Sequence, residues 1–76
     1  MKVEIYSTPS CPYCVKAKEF FKEKKIKFIE YNVAEDDVKA KEMVEKSGQM
    51  GVPVIEIDGK IVIGFDQLKI EELLKK

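Results

Sequence analysis

Cys11 and Cys14 are the only cysteines in this 76-residue chain, and no histidine accompanies them. Two thiols three residues apart on a helix lie about one turn from each other on the same side, close enough to close and reopen a disulfide. The chemistry open to such a pair is thiol–disulfide exchange. One thiolate attacks a disulfide to give a mixed disulfide, and the second thiol then attacks the first and releases the reduced substrate. A zinc site needs about four ligands, which two cysteines without histidine do not supply in one chain, so no metal site is expected within it. The alternatives are an inert structural clip and a cluster bridging two chains, each contributing sulfur.

The elements around the pair favour exchange. Apolar alternation in Lys2-Val3-Glu4-Ile5-Tyr6 predicts a strand over residues 2–7, with Val3 and Ile5 on one face and Tyr6 on the other. Ser7-Thr8-Pro9-Ser10 follows as a loop. Pro12 suits the first position of a helix, and Cys14, Ala17, Phe20, Phe21 and Lys24 continue at helical spacing to about residue 25. A C-x-x-C motif between a strand and a helix reads as redox-active. Cys11 then sits just before the first turn, where unpaired N–H groups and the helix dipole favour a negative sulfur. Cysteines in such settings have pKa values of roughly 3.5–7.5, against about 8.5 for a free thiol. Lys16 and Lys18 add a modest attraction that solvent screens. Cys14, one turn further in, is expected to be less exposed. Cys11 is therefore assigned as the nucleophile and Cys14 as the resolving thiol.

The rest of the chain supplies the frame. Residues 26–31, Ile26-Lys27-Phe28-Ile29-Glu30-Tyr31, are β-rich and predict a second strand. Glu35-Asp36-Asp37 suits a helix start; Val38, Ala40, Met43 and Val44 give that helix an apolar face, and Ser47-Gly48 ends it. Residues 53–57 and 60–63 flank Asp58-Gly59, a strong hairpin signal. Asp66 is a candidate N-cap for a last helix carrying Leu68, Ile70, Leu73 and Leu74. The predicted order is β-α-β-α-β-β-α, and a right-handed crossover makes the first two strands parallel. This is an α/β, thioredoxin-like fold, with a four-stranded mixed sheet and three helices in one small domain spanning residues 1–76.

Composition narrows the function. The chain is 45% hydrophobic and 37% charged, as a compact soluble protein is. It has no apolar run near the roughly 18 residues that span a bilayer and no signal-peptide core, so a cytoplasmic location and no membrane partner are expected. A thiol pair that cycles fits that compartment better than a structural disulfide. Charge is balanced at fourteen basic and fourteen acidic residues, but every basic residue is lysine. Without arginine, sequence-specific nucleic-acid recognition loses support. Residues 16–27 hold six lysines and two glutamates, a net of +4, whereas residues 30–45 hold six acidic residues and two lysines, a net of −4. Most such runs are solvated helix faces, although a basic flank near Cys11 would also steer acidic partners.

Two further motifs stand apart. Gly51-Val52-Pro53 opens a strand with proline, read as a simple loop-to-strand junction or as a cis Val52–Pro53 bond that leaves the Val52 backbone free to pair with an extended partner. Gly64-Phe65-Asp66 is either a strand end, a packing aromatic and a helix cap, or a carboxylate site at a helix N-terminus.

Taken together, Val3-Glu4-Ile5-Tyr6, Cys11-Pro12-Tyr13-Cys14, Gly51-Val52-Pro53 and Gly64-Phe65-Asp66 resemble the glutaredoxins over nearly the whole chain. The CPYC tetrad is the usual active site of the dithiol members. The resemblance implies that Cys11 is the nucleophile and Cys14 the resolving thiol, with Pro12, Tyr13 and a cis Pro53 as supports. It further implies a substrate or glutathione site at Thr8, Val52, Pro53, Gly64, Phe65 and Asp66, with the Val52 backbone meeting the cysteine part of glutathione. A monomer with no tightly bound cofactor is expected, using glutathione as co-substrate and acting on protein disulfides or glutathione mixed disulfides. Two departures bear on the electron donor. Thr8 stands where glutaredoxins often have lysine, and Gly64-Phe65, where they commonly have Gly-Gly, is similar to the NrdH-type redoxins, which take electrons from thioredoxin reductase and supply ribonucleotide reductase but usually have a different tetrad between their cysteines.

Overall fold

The computed structural model describes residues 2–49 and 51–75. Seven elements follow one another: β1 (Val3–Ser7), α1 (Pro12–Glu23), β2 (Ile29–Asn32), α2 (Asp37–Ser47), β3 (Val54–Ile57), β4 (Lys60–Ile63) and α3 (Gln67–Leu74). The strands form one sheet in the order β2-β1-β3-β4. β1 and β2 run parallel, with Ile5 opposite Glu30, while β1–β3 and β3–β4 are antiparallel. The mixed sheet and three helices are those of the thioredoxin-like fold that the sequence predicts. Among the described residues, no helix is long and apolar enough to cross a membrane.

Side-chain alternation sorts the helices onto two faces of the sheet. Val3, Ile5, Ile55, Ile57 and Val62 point to the face covered by Ala17 and Phe21 of α1 and Ile70 of α3. Tyr6 and Val54 point the other way, against Met43 of α2. Each of these fully buried large side chains contributes roughly 1.5–3 kcal/mol of burial free energy.

The second strand begins later than its composition suggests. Lys25 adopts φ 58°, in the left-handed region, and its N–H donates to the Lys22 carbonyl while that of Ile26 donates to Phe21 at 2.9 Å. This is a Schellman termination of α1, which turns the chain back on itself. Ile26 and Phe28 are consequently spent on the α1 core as packing residues, and pairing starts only at Ile29. Two other expectations need correcting. Val38 is 72% exposed and Leu68 80% exposed, so neither belongs to the apolar face of its helix. At 100° per residue, Val38 stands about 140° around α2 from Met43, and Leu68 about 160° around α3 from Ile70.

Helix caps and the hairpin follow the sequence closely. Asp36 accepts from the Lys39 N–H at 3.1 Å, and Asp66 from that of Lys69 at 3.2 Å. Gly48 ends α2 in the left-handed conformation. Asp58 and Gly59 both have positive φ, 48° and 85°, as the tight β3–β4 turn requires.

Candidate active site

β1 delivers the chain through Thr8, Pro9 and Ser10 to Cys11, whose N–H donates to the Thr8 carbonyl at 3.3 Å. Cys11 is the N-cap of α1, with Pro12 at the first helical position. In place of the usual capping oxygen, its sulfur accepts the backbone N–H of Cys14 at 3.3 Å. One orphan donor of the helix end is thus directed at the sulfur. Cys11 is partly exposed and Cys14 completely buried, both as free thiols. Burial first, and then the hydrogen bond with Cys11, push the Cys14 thiol up from about 9 to about 12. Cys14 is therefore the less exposed of the two, as expected from its place one turn further along the helix.

The second wall is the loop before β3. The Val52–Pro53 peptide bond is cis, and Pro53 is buried. The Val52 carbonyl lies 3.8 Å from the Cys11 sulfur, within reach of the thiol proton. The Pro53 carbonyl in turn accepts the Gly64 N–H at 2.8 Å, with Gly64 at φ 76°. Thr8, Cys11, Val52, Pro53 and Gly64 are therefore linked by hydrogen bonds or chain adjacency at one end of the sheet. Tyr13 stands at the rim, 59% exposed. Phe65 turns inward and packs edge-on against Phe20, ring centroids 5.7 Å apart. Asp66 uses its carboxylate to cap α3. At this third motif, packing and capping account for both side chains, and the Gly64 backbone supplies the link to the site.

Two polar clusters support the frame, and neither is visible as a local motif. Glu30 accepts from Ser7 Oγ at 2.8 Å and from Lys18 Nζ at 2.7 Å, tying β1 and α1 to β2. Lys18, then Ser7, holds the Glu30 carboxyl below its usual range. On the opposite face, Lys46 of α2 reaches Glu56 at 2.7 Å, Glu42 at 3.1 Å and the Tyr6 hydroxyl at 3.4 Å. Tyr6 donates to Glu42 at 2.9 Å. Burial, then that hydrogen bond, pushes the Tyr6 phenol up to about 12, and Lys46, then Tyr6 and Lys39, hold the Glu42 carboxyl down at about 2. Ser47 continues the anchoring into the next loop, accepting the Gln49 N–H at 3.3 Å. The last turn of α2, two residues before Gly48 and six before Val52, is thereby pinned to β1 and β3.

Comparison with known proteins agrees with this geometry. The Glutaredoxin family profile matches residues 3–62. An uncharacterized glutaredoxin-like 8.6 kDa protein encoded in the rubredoxin operon of Clostridium pasteurianum is 50% identical over 97% of this chain and 99% of its own length. Glutaredoxin 3 of Escherichia coli K12 is 39% identical, over 87% of this chain and 80% of its own. The crystal structure of a glutaredoxin from Archaeoglobus fulgidus superposes with a TM-score of 0.90 at 25% identity, covering 99% and 87% of the two chains. A helix-capping, partly exposed cysteine beside a buried one, on this fold and with these relatives, places the chain in the glutaredoxin family, with a function of the thiol–disulfide oxidoreductase type.

Proposed function

We propose that the protein reduces protein disulfides or glutathione mixed disulfides by a two-cysteine cycle. The Cys11 thiolate attacks one sulfur of the substrate disulfide; a new Cys11–substrate bond forms and the other sulfur leaves as a thiolate. Cys14 gives up its proton, to the leaving sulfur or to solvent, and attacks Cys11. The Cys11–Cys14 disulfide forms and the reduced substrate departs, so two electrons pass from the protein to the substrate. Reduction of the new disulfide by an external thiol or reductase closes the cycle.

The observation that carries this reading is the Cys14 N–H directed at the Cys11 sulfur while the Cys14 thiol lies buried beneath it. The attacking sulfur is thereby offered to a partner, and the resolving sulfur is held back. The Val52 carbonyl beside Cys11 supports substrate placement, since an extended segment can pair with that backbone. In a Cys14→Ser protein the mixed disulfide should accumulate as a mass adduct on Cys11, whereas Cys11→Ser should form no adduct and reduce nothing. Full activity in Cys11→Ser would overturn the assignment.

A second reading concerns the donor. Thr8 in place of lysine, and the similarity of Gly64-Phe65 to the NrdH-type redoxins, favour a protein that draws on thioredoxin reductase, whereas the CPYC tetrad favours glutathione. Oxidised protein is offered glutathione with its reductase, or thioredoxin reductase, each with NADPH. Consumption of NADPH in the first mixture assigns glutathione as donor; consumption only in the second assigns the reductase.

A further inference from the structure

Resolution asks more of the protein than the first attack does. Cys14 must lose its proton before it attacks Cys11, yet it is wholly buried. A charged cluster borders this thiol. Ser7 follows Val3 and Ile5 in alternation, so its buried side chain lies on the face that α1 covers. Glu30 stands opposite Ile5 on the same face. Its Oε2 accepts from both Ser7 Oγ at 2.8 Å and Lys18 Nζ at 2.7 Å. Lys18 is thereby held by two strands, and its side chain is only 24% exposed, whereas Lys16 and Lys22 of the same helix are open to solvent. It follows Cys14 by four residues, which puts the two on one side of α1 with Cβ atoms about 5–6 Å apart.

The groups around Cys14 come from four elements. α1 presents the Cys11 sulfur and Lys18; β1 and its exit present the Ser7 hydroxyl and the Thr8 N–H; β2 presents Glu30. The loop before β3 presents the uncharged Val52–Pro53 peptide beside Cys11. Glu35, Asp36 and Asp37 lead into α2, which covers the opposite face of the sheet, and Asp66 caps α3. Burial first, then the Cys11 sulfur, works against a negative Cys14, whereas the Thr8 N–H and then Lys18 work for one. Once Cys11 is joined to substrate it has neither proton nor charge, and its opposition lapses. The help from Thr8 and Lys18 persists.

We propose that Lys18, anchored by Glu30 and Ser7, promotes resolution by stabilising the negative sulfur of Cys14, with little influence on the first attack. This rests on Cys14 being the resolving thiol. In that step the Cys14 proton passes to the leaving sulfur or to solvent. The Cys14–Cys11 bond forms, and the Cys11–substrate bond breaks with its electron pair departing on the substrate sulfur. Lys18 touches neither substrate nor Cys11, so it is a positioning residue that acts through Cys14. At 1.5 Å per residue, Cys11 lies about 10 Å from Lys18 along the axis and Cys14 about 6 Å, against a screening length of about 8–10 Å. Cys14 also lies in the interior, where the field is screened less.

The test mixes pre-reduced full-length protein with dithiobis(nitrobenzoate), whose released thiolate is coloured. A first phase, proportional to reagent concentration, reports attack by Cys11; a second, independent of it, reports resolution by Cys14. A partly buried charge at this distance changes ionisation roughly tenfold. A less basic thiolate is a weaker nucleophile, which returns about half of that on a logarithmic scale and leaves about threefold in rate. Lys18→Gln should therefore slow the second phase about threefold near neutral pH, while the first changes little. The deficit should shrink as pH rises and vanish where Cys14 ionises unaided. Lys18→Arg should restore the rate. Glu30→Gln keeps an acceptor for Lys18 and Ser7 and should not slow resolution.

An unchanged second phase in Lys18→Gln would overturn the proposal, and so would a deficit that stays constant with pH, the mark of a displaced helix. Equal slowing in Lys22→Gln, two turns beyond Cys14, would overturn it in favour of a diffuse field. Equal slowing in Glu30→Gln would do so in favour of the carboxylate as proton acceptor. A second phase that survives in Cys14→Ser would instead remove the underlying assignment of the resolving thiol.

Discussion

The backbone N–H of Cys14 points at the sulfur of Cys11 from 3.3 Å, while the side chain of Cys14 is wholly inside the protein. One residue thus serves the pair twice, its amide holding the first sulfur and its thiol waiting below. Burial raises the second thiol to about 12, so it is protonated throughout the physiological range. A sulfur in that state does not compete for disulfides in solution.

The two thiols should therefore separate cleanly in alkylation. At pH 8, iodoacetamide is expected to modify Cys11 and to leave Cys14 untouched until denaturant is added. Peptide mass mapping after a timed quench reads this directly, and equal labelling of both would contradict the buried placement.

Stability should fall at both ends of the pH range. Cys14 and Tyr6 have folded values raised to about 12, from about 9 and 10, so their contribution is complete below pH 9 and is lost as pH rises toward 12. Glu42 is lowered to about 2 from about 4.5, so its contribution is complete above pH 4.5 and is lost on acidification toward 2, and the lowered Glu30 acts in the same direction. Urea midpoints at pH 3, 7 and 10.5 should be highest at 7. The alkaline loss should be smaller in the oxidised protein, where Cys14 no longer titrates.

Phe65 packs on Phe20, and its replacement should register as lost stability. Phe65→Ala is expected to cost about 2 kcal/mol, since a half-buried ring is removed from the core edge. For a chain of this size that lowers Tm by about 8–16 °C. Thermal unfolding followed by circular dichroism checks it, and an unchanged Tm would contradict a stabilising contact between Phe65 and Phe20.

Lys25 invites a substitution in the other direction. Its left-handed φ of 58° is one that glycine adopts without the Cβ penalty. Lys25→Gly should stabilise the protein by roughly 0.5–1 kcal/mol, visible as a Tm increase of a few degrees.

Much of this architecture is legible residue by residue. Val3, Ile5 and Tyr6 announce the two faces of β1, Asp36 and Asp66 their helices, and Asp58-Gly59 the hairpin, because each depends on neighbours within a few positions. The unequal cysteines are legible for the same reason. What escapes is non-local. The contacts of Lys46 with Tyr6 and Glu56 join residues 40 and 10 positions apart, and no spacing rule marks them. The late start of β2 escapes because Lys25 takes a conformation its type disfavours, which a glycine would have advertised. Val38 and Leu68 look like core by hydropathy, and only the helix phase set by Met43 and Ile70 puts them outside.

The hairpin tip at Asp58-Gly59 lies at the end of the sheet away from Cys11, fastened to the start of β1 by Lys2 N–H to Asp58 at 2.7 Å and by the return bond from Asp58 N–H to the Lys2 carbonyl at 2.9 Å. The molecule is thus one-ended as a reagent, its sulfur at one pole and a closed, chemically silent turn at the other. An electrode, a bead or a fused carrier attached through that turn would present the thiol outward, and every tethered copy would face its disulfide partner in the same orientation.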